Sequence, residues 1–147
     1  MPSTQQKPYD PDNVFAKILD GRLPCHKIFE TESCIAILDA FPTAQGHALL
    51  ISKAPALTIM DLSEQQAGDV LKELPRLCRA VQKATNCDAV NVLHNGGAAA
   101  GQIVHHLHFH VVPRFENDNL FKQFKSASSM ITAEEAAGIL EKIKANL

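Results

Sequence analysis

The segment 105–112 carries four of the seven histidines of the chain, three of them alternating with apolar residues. Successive side chains of a β-strand point to opposite faces, so a strand here places His106, His108 and His110 on one face. The β-branched and aromatic residues of the segment, and the stop expected at Pro113, favour a strand over a helix. Burial of the apolar face against a core leaves three imidazoles at the surface or in a cleft.

Three interpretations of these histidines compete. Buried structural histidines would each need a hydrogen-bond partner of their own. A metal site is possible chemically because imidazole is the commonest transition-metal ligand, but the next acid, Glu116, lies beyond Pro113. The third interpretation is nucleophilic catalysis at phosphorus, for which a neutral imidazole is well suited. We favour the third, because a strand can supply both the attacking ring and hydrogen-bond donors.

The segment 95–102 is rich in glycine and alanine and precedes the histidines. Its main-chain N–H groups and the amides of Asn95 and Gln102 can approach an anion. Taken alone, such a segment is most often only a tight connection. Next to the histidines it predicts a phosphate-binding loop.

Composition narrows the class of protein. A length of 147 residues predicts one domain, and a net charge of −2 gives no electrostatic argument for a nucleic-acid or membrane partner. No segment has the apolar length of a membrane span, and the N-terminus is polar, so we expect a cytoplasmic protein. The four cysteines lack a close paired spacing and are expected to be free thiols; they are Cys25, Cys34, Cys78 and Cys87.

The chain is predicted to consist of a flexible arm, residues 1–11, and a single domain, residues 12–147. A short helix over 14–19 is expected, capped by Asp12 or Asp10 and ended by Gly21. Because short strands alternate irregularly with helices, we predict an α+β fold with a mainly antiparallel sheet. The predicted strands are 26–30, 33–39, 47–52, 89–94 and 104–112.

Two further helices have clear start signals. Ser63 with Gln66 three residues later is a capping-box pattern, and it predicts one long helix to about residue 84, kinked at Pro75. Thr132 with Glu135 predicts a final helix in the same way. Residues 114–130 between these regions are expected to be irregular.

The segment 101–114 closely resembles the signature of the histidine triad (HIT) family of nucleotide hydrolases and transferases. In that signature three histidines alternate with apolar residues, two apolar residues follow, and Gly-Gln stands a few positions earlier. The resemblance extends over residues 12–114 and is nearest to the Hint-like nucleoside phosphoramidases and their bacterial-type relatives. It implies a HIT-like fold, a homodimer that joins two sheets, a purine nucleotide substrate and no cofactor.

The resemblance also implies roles for four histidines. His108, the middle residue of the triad, would be the nucleophile that forms a nucleotidyl-imidazole intermediate. The main-chain carbonyl of His106 would orient it, and His110 would contact the phosphate or the scissile-bond atom. His47 matches an outlying fourth histidine that supports the triad.

The nucleotide-binding residues are implied in the same way. Asp39 matches an acid that binds the ribose hydroxyls, and Asn95 and Gln102 match contacts to the phosphate. Gly101 and Ile103 flank Gln102 and belong to the same phosphate-side segment. The apolar slot for the base would be formed by Val14, Phe15, Ile18 and Leu38.

The chain departs from the family pattern at specific positions. Ile103 stands where Hint-like members usually have a hydroxyl residue that assists the leaving group, so either amine departure is slower or another donor serves. Many bacterial-type members bind structural zinc, but the matching positions are Asn13, Ala16 and Pro55, none of which is a zinc ligand. We therefore predict no metal.

The predicted function is hydrolysis of purine nucleoside monophosphate derivatives, of the adenosine 5′-phosphoramidate type, at the α-phosphorus. Two alternatives stay open: a dinucleoside polyphosphate hydrolase that uses the same histidines, and a nucleotide-binding regulatory protein with incidental turnover. His94 and His105 lie off the motif and are assigned no role.

Overall fold

The alternating segments of the sequence form an antiparallel sheet. The computed structural model describes residues 7–120 and 126–147. Within these residues the strands are β1 (Lys27–Glu30), β2 (Cys34–Leu38), β3 (Ala48–Ser52), β4 (Ala89–Leu93) and β5 (His108–Arg114). They lie in the order β1-β2-β3-β5-β4, and every neighbouring pair is antiparallel. The predicted α+β fold with an antiparallel sheet is confirmed.

The predicted long helix is wrong, because two helices occupy that region. The helices are α1 (Val14–Leu19), α2 (Glu64–Leu71), α3 (Leu74–Thr85) and α4 (Ala133–Lys144). Pro75 lies in the first turn of α3. Its ring excludes the carbonyl of the preceding turn and it has no N–H, so a second helix starts there instead of a kink in one helix. The capping boxes predicted at Ser63 and Thr132 are both present.

Helix α1 is capped by a different residue from the two that the sequence suggested. The side-chain oxygen of Asn13, and not that of Asp12 or Asp10, accepts the Ala16 N–H at 2.9 Å. Asp12 instead forms an ion pair with Arg22 at 2.6 Å. Adjacent polar residues compete for one cap position, and sequence alone does not separate them.

Each face of the sheet packs against its own apolar cluster. One cluster joins Leu77 of α3 to Leu50 and Phe109 of the sheet, and the other joins Phe15 of α1 to residues including Leu49 and Ile51. Cross-strand partners lie on the same face, and Leu49 pairs with His110 while Ile51 pairs with His108. The two strand histidines therefore face the α1 side; on the opposite side lie Leu107, Phe109 and Val111.

The histidine strand has other limits than predicted. It begins at His108, not at residue 104, and it continues through Pro113 to Arg114. Pairing of β5 with β3 ends at Val111, so beyond that point the sheet needs no hydrogen bond from β5 to β3, and a proline is tolerated. His106 lies before the strand, in a segment held by the Leu107 N–H, which donates to Ala56 O at 2.8 Å.

Several predictions on organisation stay predictions. Of the arm predicted for residues 1–11, the structure describes residues 7–11, in which Tyr9 contacts His106. The joining of two sheets in a dimer and the cytoplasmic location are not tested. No helix in the described ranges has the length and apolar character needed to cross a bilayer.

Candidate active site

A cavity of about 740 Å³ lies over the α1 face of the sheet and is bordered by α1, the end of β2 and the segment that precedes β5. It brings together residues that lie far apart in the sequence, since α1, β2, β5 and His47, which directly precedes β3, all line it. Two predicted residues, His106 and Gln102, do not line it. The predicted residues that do line it are Val14, Phe15, Ile18, Leu38, Asp39, His47, Asn95, Gly101, Ile103, His108 and His110.

The protonation of the His108 ring is fixed by the main chain. Its Nδ1 lies 2.6 Å from the carbonyl oxygen of His106, and because a carbonyl only accepts, Nδ1 carries the proton. Nε2 therefore keeps its lone pair, on a ring that lines the cavity. Burial lowers the pKa of His108 to about 4, so the ring is neutral at neutral pH. This is the state that a nucleophilic imidazole requires.

His106 is completely buried and differs from the expectation that three imidazoles face one cleft. Its Nε2–H donates to the carbonyl oxygen of Ser52 at 2.6 Å, so its Nδ1 is an acceptor. The hydroxyl of Tyr9 donates to that Nδ1 at 2.8 Å. What His106 offers to the cavity is its carbonyl, which holds His108.

The protonation of His110 is fixed through His47. The Thr43 N–H donates to Nδ1 of His47 at 3.0 Å, so the proton of the neutral His47 ring is on Nε2. Nε2 of His47 lies 2.9 Å from Nδ1 of His110 and donates to it. The remaining proton of His110 is therefore on Nε2, and this ring lines the cavity as a donor. Burial lowers the pKa of both rings.

Asp39, which the resemblance assigned to the ribose, also adds a carboxylate beside the histidines, where the histidine segment itself indicated no nearby acid. Ligand atoms of Asp39, His47 and His110 lie within 4.8 Å of one another, and Asp39 Oδ2 is 3.5 Å from His47 Nε2. Two imidazoles and a carboxylate are donors that suit a divalent transition-metal ion. The expectation that no acid lies near the histidine face was wrong, because Asp39 comes from the end of β2 rather than from the histidine strand.

The positions that resemblance assigns to structural zinc do not fit a metal. The side-chain oxygen of Asn13 is used by the Ala16 N–H. The side chains of Ala16 and Pro55 contain no ligand atom. His106, whose Nδ1 lies 3.4 Å from Nδ2 of Asn13, is held by hydrogen bonds to Tyr9 and Ser52.

The side-chain amide of Gln102 forms hydrogen bonds that hold the glycine-rich segment in place, so it is not available to bind a phosphate. Its amide N–H groups donate to the carbonyl oxygens of Leu57 at 2.8 Å and Val104 at 3.1 Å, and its oxygen accepts the Gly97 N–H at 2.8 Å. The structure thus differs from the predicted phosphate contact. An amide that is buried and bonded to three main-chain groups fixes the loop that carries Asn95 and Ile103 into the cavity.

Sequence reasoning missed several residues of the site. His94, left without a role, connects the Ile59 N–H to the carbonyl oxygen of His108. The Thr43 contact uses a main-chain donor, which no side-chain pattern reveals. Tyr9 had a signal, since it is the one aromatic residue of a polar arm. Further cavity-lining residues that were not predicted include Cys25, His26, Phe41 and Val104.

The buried histidines predict a loss of stability in mild acid. Because the pKa of His108 is near 4 when folded and near 6.5 when unfolded, the unfolded chain binds an extra proton between these values. The free energy of unfolding is expected to fall as pH falls through this window, by on the order of 3 kcal/mol from His108 alone. Urea unfolding at several pH values tests this.

The matched control for this experiment is His108→Gln, which cannot titrate. Its unfolding free energy should fall less steeply over the same window. His47, His106 and His110 act in the same direction, since burial lowers the pKa of each. Equal pH dependence of the two proteins would contradict the assigned burial of a neutral His108.

Comparison with known proteins identifies the protein family to which this chain belongs. The family model described as the HIT domain matches residues 20–117. Adenosine 5′-monophosphoramidase hnt1 of Schizosaccharomyces pombe is 37% identical over 134 residues, which are 91% of this chain and 97% of that protein. The chain belongs to the HIT family.

Two further comparisons extend this result. Adenylylsulfatase HINT3 of Arabidopsis thaliana is 40% identical over 110 residues, 75% of this chain, and the match covers 56% of that longer protein. A crystal structure of a HIT family member from Bacillus subtilis superposes with a TM-score of 0.87 and 28% identity, covering 92% of this chain and 97% of the other. The predicted family and HIT-like fold are confirmed, and the relatives that are named by activity are hydrolases of this family.

Proposed function

We propose that this protein hydrolyses purine nucleoside 5′-phosphoramidates at the α-phosphorus through a covalent nucleotidyl intermediate on His108. One observation supports the proposal most directly: hydrogen bonds fix the tautomers of two histidine rings that line the same cavity. His108 has its lone pair on Nε2, and His110 has its proton on Nε2. A nucleophile and a proton donor thus lie on the same strand, with ring centroids 4.9 Å apart.

In the first step Nε2 of His108 attacks phosphorus and the bond from phosphorus to the leaving nitrogen breaks. An amine leaves poorly as an anion, so it takes the proton from Nε2 of His110 as it departs. The negative charge left on the His110 ring is balanced by the positive charge on the His108 ring, whose centroid lies 4.9 Å away. The carbonyl of His106 stabilises the positive charge that develops on the attacking ring, because it accepts the Nδ1–H.

In the second step water attacks phosphorus and His108 leaves as a neutral ring. The proton lost by the water returns to His110, which restores the starting state. The products are the nucleoside monophosphate and the free amine. The imidazole is a good leaving group from phosphorus because its other nitrogen keeps its proton throughout.

The rest of the cavity suits a nucleoside. The apolar side chains of Val14, Phe15, Ile18 and Leu38 offer a slot for a flat base. We assign the ribose hydroxyls to Asp39, whose Oδ1 also accepts the Phe41 N–H at 2.8 Å. That hydrogen bond fixes the orientation of the carboxylate at the cavity edge.

The charge of the cavity favours an uncharged leaving group. Among the described residues that line it there is no lysine or arginine, and Asp39 contributes a carboxylate. A dinucleoside polyphosphate would bring several negative charges to a wall without a fixed cation, which is unfavourable. An amine brings none, so the phosphoramidate is favoured over the polyphosphate alternative.

A substrate panel tests the proposed function. The kcat/KM of the full chain would be measured on adenosine 5′-phosphoramidate, adenylyl sulfate and diadenosine polyphosphates. We expect the phosphoramidate to be hydrolysed fastest. Faster cleavage of the polyphosphates would overturn the proposed substrate class while leaving the same histidines in place.

Ile103 gives a second prediction on the leaving group. Its side chain is 88% exposed at the cavity and has no hydroxyl to assist an amine. Ile103→Ser should raise kcat/KM on the unsubstituted phosphoramidate by up to about tenfold, the effect of one added hydrogen bond. Ala99→Ser, on the same loop and outside the cavity, is the control. If Ile103→Ser and the parent have the same kcat/KM, residue 103 does not lie next to the leaving group.

A further inference from the structure

Tyr9 contacts the triad from outside residues 20–117, the range that the HIT family model matches. Its hydroxyl lies 2.8 Å from Nδ1 of His106, and the two ring centroids are 5.6 Å apart. Since Nε2 of His106 donates to Ser52 O, Nδ1 has a lone pair, and the tyrosine hydroxyl is the donor. His106 is thereby held at both ring nitrogens, by Ser52 on one side and Tyr9 on the other.

Tyr9 is the principal donor to this buried acceptor. The other candidate, Nδ2 of Asn13, lies 3.4 Å from Nδ1 and also donates to the Asp10 carbonyl oxygen at 2.8 Å. A hydrogen bond at the longer distance is weak. Without Tyr9, the lone pair of a ring that is 0% exposed would lose its close partner, which is costly in a protein interior.

We propose that Tyr9 is a positioning residue of the reaction: its hydroxyl holds the ring of His106 in the Nε2–H form and so fixes the carbonyl that orients His108. If the proton of His106 moved to Nδ1, the lone pair of Nε2 would face the Ser52 oxygen at 2.6 Å. Two lone pairs at that distance repel, so the ring and its main chain would have to move.

Such a movement would reach the nucleophile directly. The carbonyl of His106 lies 2.6 Å from Nδ1 of His108, and the side chains of residues 106 and 108 share a contact with Phe15. Small errors in the placement of an attacking atom reduce a rate strongly. Tyr9 does not line the cavity, so it acts on the reaction only through His106.

The test is Tyr9→Phe, which keeps the ring against His106 and removes only the hydroxyl. This proposal rests on the proposed phosphoramidase function for its kinetic part. We expect kcat on adenosine 5′-phosphoramidate to fall about fivefold with KM changed by less than about twofold, the effect of one hydrogen bond on nucleophile placement. Lys7→Ala, an exposed change in the same segment, should leave both constants unchanged.

A second measurement does not depend on turnover. In the nitrogen NMR spectrum of the imidazoles, the Nδ1 resonance of His106 should shift in Tyr9→Phe, because its lone pair loses a donor. Asn13→Asp keeps the helix cap but puts a carboxylate near Nδ1, and should shift the same resonance toward the protonated form. A purely structural role of Tyr9 would lower the thermal midpoint without these changes.

The outcomes separate the two proposals. Unchanged kcat, or an unchanged His106 Nδ1 resonance in Tyr9→Phe, would overturn the role of Tyr9. If the parent protein fails to hydrolyse the phosphoramidate, the proposed function fails, and the nitrogen resonances then decide alone whether Tyr9 holds His106.

Discussion

Replacing His108 with alanine is expected to remove the covalent intermediate and to lower turnover by about 10⁴-fold or more, as for other nucleophiles that act within a catalytic unit. The reason lies in the fixed ring of His108, whose Nδ1 is tied to His106 O. Among the cavity residues that the structure describes, no other imidazole has its Nδ1–H bonded to a main-chain carbonyl while Nε2 keeps its lone pair. His47 and His110 use their Nδ1 atoms as acceptors within the site.

The measurement is a rapid quench of enzyme and nucleotide followed by mass spectrometry of the intact chain. The parent should carry a nucleotidyl group, and His108→Ala should bind the nucleoside monophosphate without forming an adduct. His105→Ala, next to the triad and outside the motif, is the matched control and should form the adduct normally. A full-strength adduct in His108→Ala would assign the nucleophile elsewhere.

The same variant separates an enzyme from a regulatory nucleotide-binding protein. If binding persists while turnover is lost, a biological role that depends on hydrolysis should disappear in His108→Ala. A role that depends only on binding should persist. The comparison needs the retained binding as its internal control, since a misfolded variant would lose both.

The sequence predicted those features that depend on local periodicity. Alternation alone put Leu107, Phe109 and Val111 in the core and His108 and His110 on the opposite face, as found. Capping residues three positions apart, as at Ser63 and Thr132, predicted helix starts correctly. In both cases the physical cause lies within a few residues of the feature.

Features that depend on distant contacts did not follow from local patterns in the sequence, and only the resemblance to the family placed Asp39 in the site. Asp39 meets His110 because β2 and β5 are both neighbours of β3, and nothing near residue 110 signals an acid. Gln102 has the composition of a phosphate ligand, but its donors are used by Leu57 and Val104. Which partner satisfies a polar group is decided by tertiary structure, so residue type alone does not fix its role.

The four histidines of the site act from their neutral forms, and this limits which of them can supply a proton. Burial lowers the pKa of His47, His106, His108 and His110, so hydrogen-bond partners rather than charges determine where each proton lies. A neutral nucleophile is available over a broad range of pH, since the pKa of His108 is near 4. Proton donation to the leaving group is the harder step, because a neutral imidazole is a weak acid.

His110→Gln tests proton donation by His110 and should cause the second largest loss of turnover, after His108→Ala. Glutamine can still donate a hydrogen bond, but it cannot give up a proton. We expect kcat on adenosine 5′-phosphoramidate to fall by about 10²- to 10³-fold, the usual contribution of a general acid. The expected loss is specific to leaving groups that need a proton, such as amines.

The control for this prediction is a second substrate rather than a second variant. The p-nitrophenyl ester of the same nucleotide releases a stable phenolate, so its cleavage should fall by less than about tenfold in His110→Gln. Comparing the two substrates on one variant cancels any change in folding or nucleotide affinity. An equal loss on both would mean that His110 holds the phosphate and does not donate the proton. The proton would then have to come from another group of the cavity. His47 is one such group, and it is hydrogen-bonded to His110.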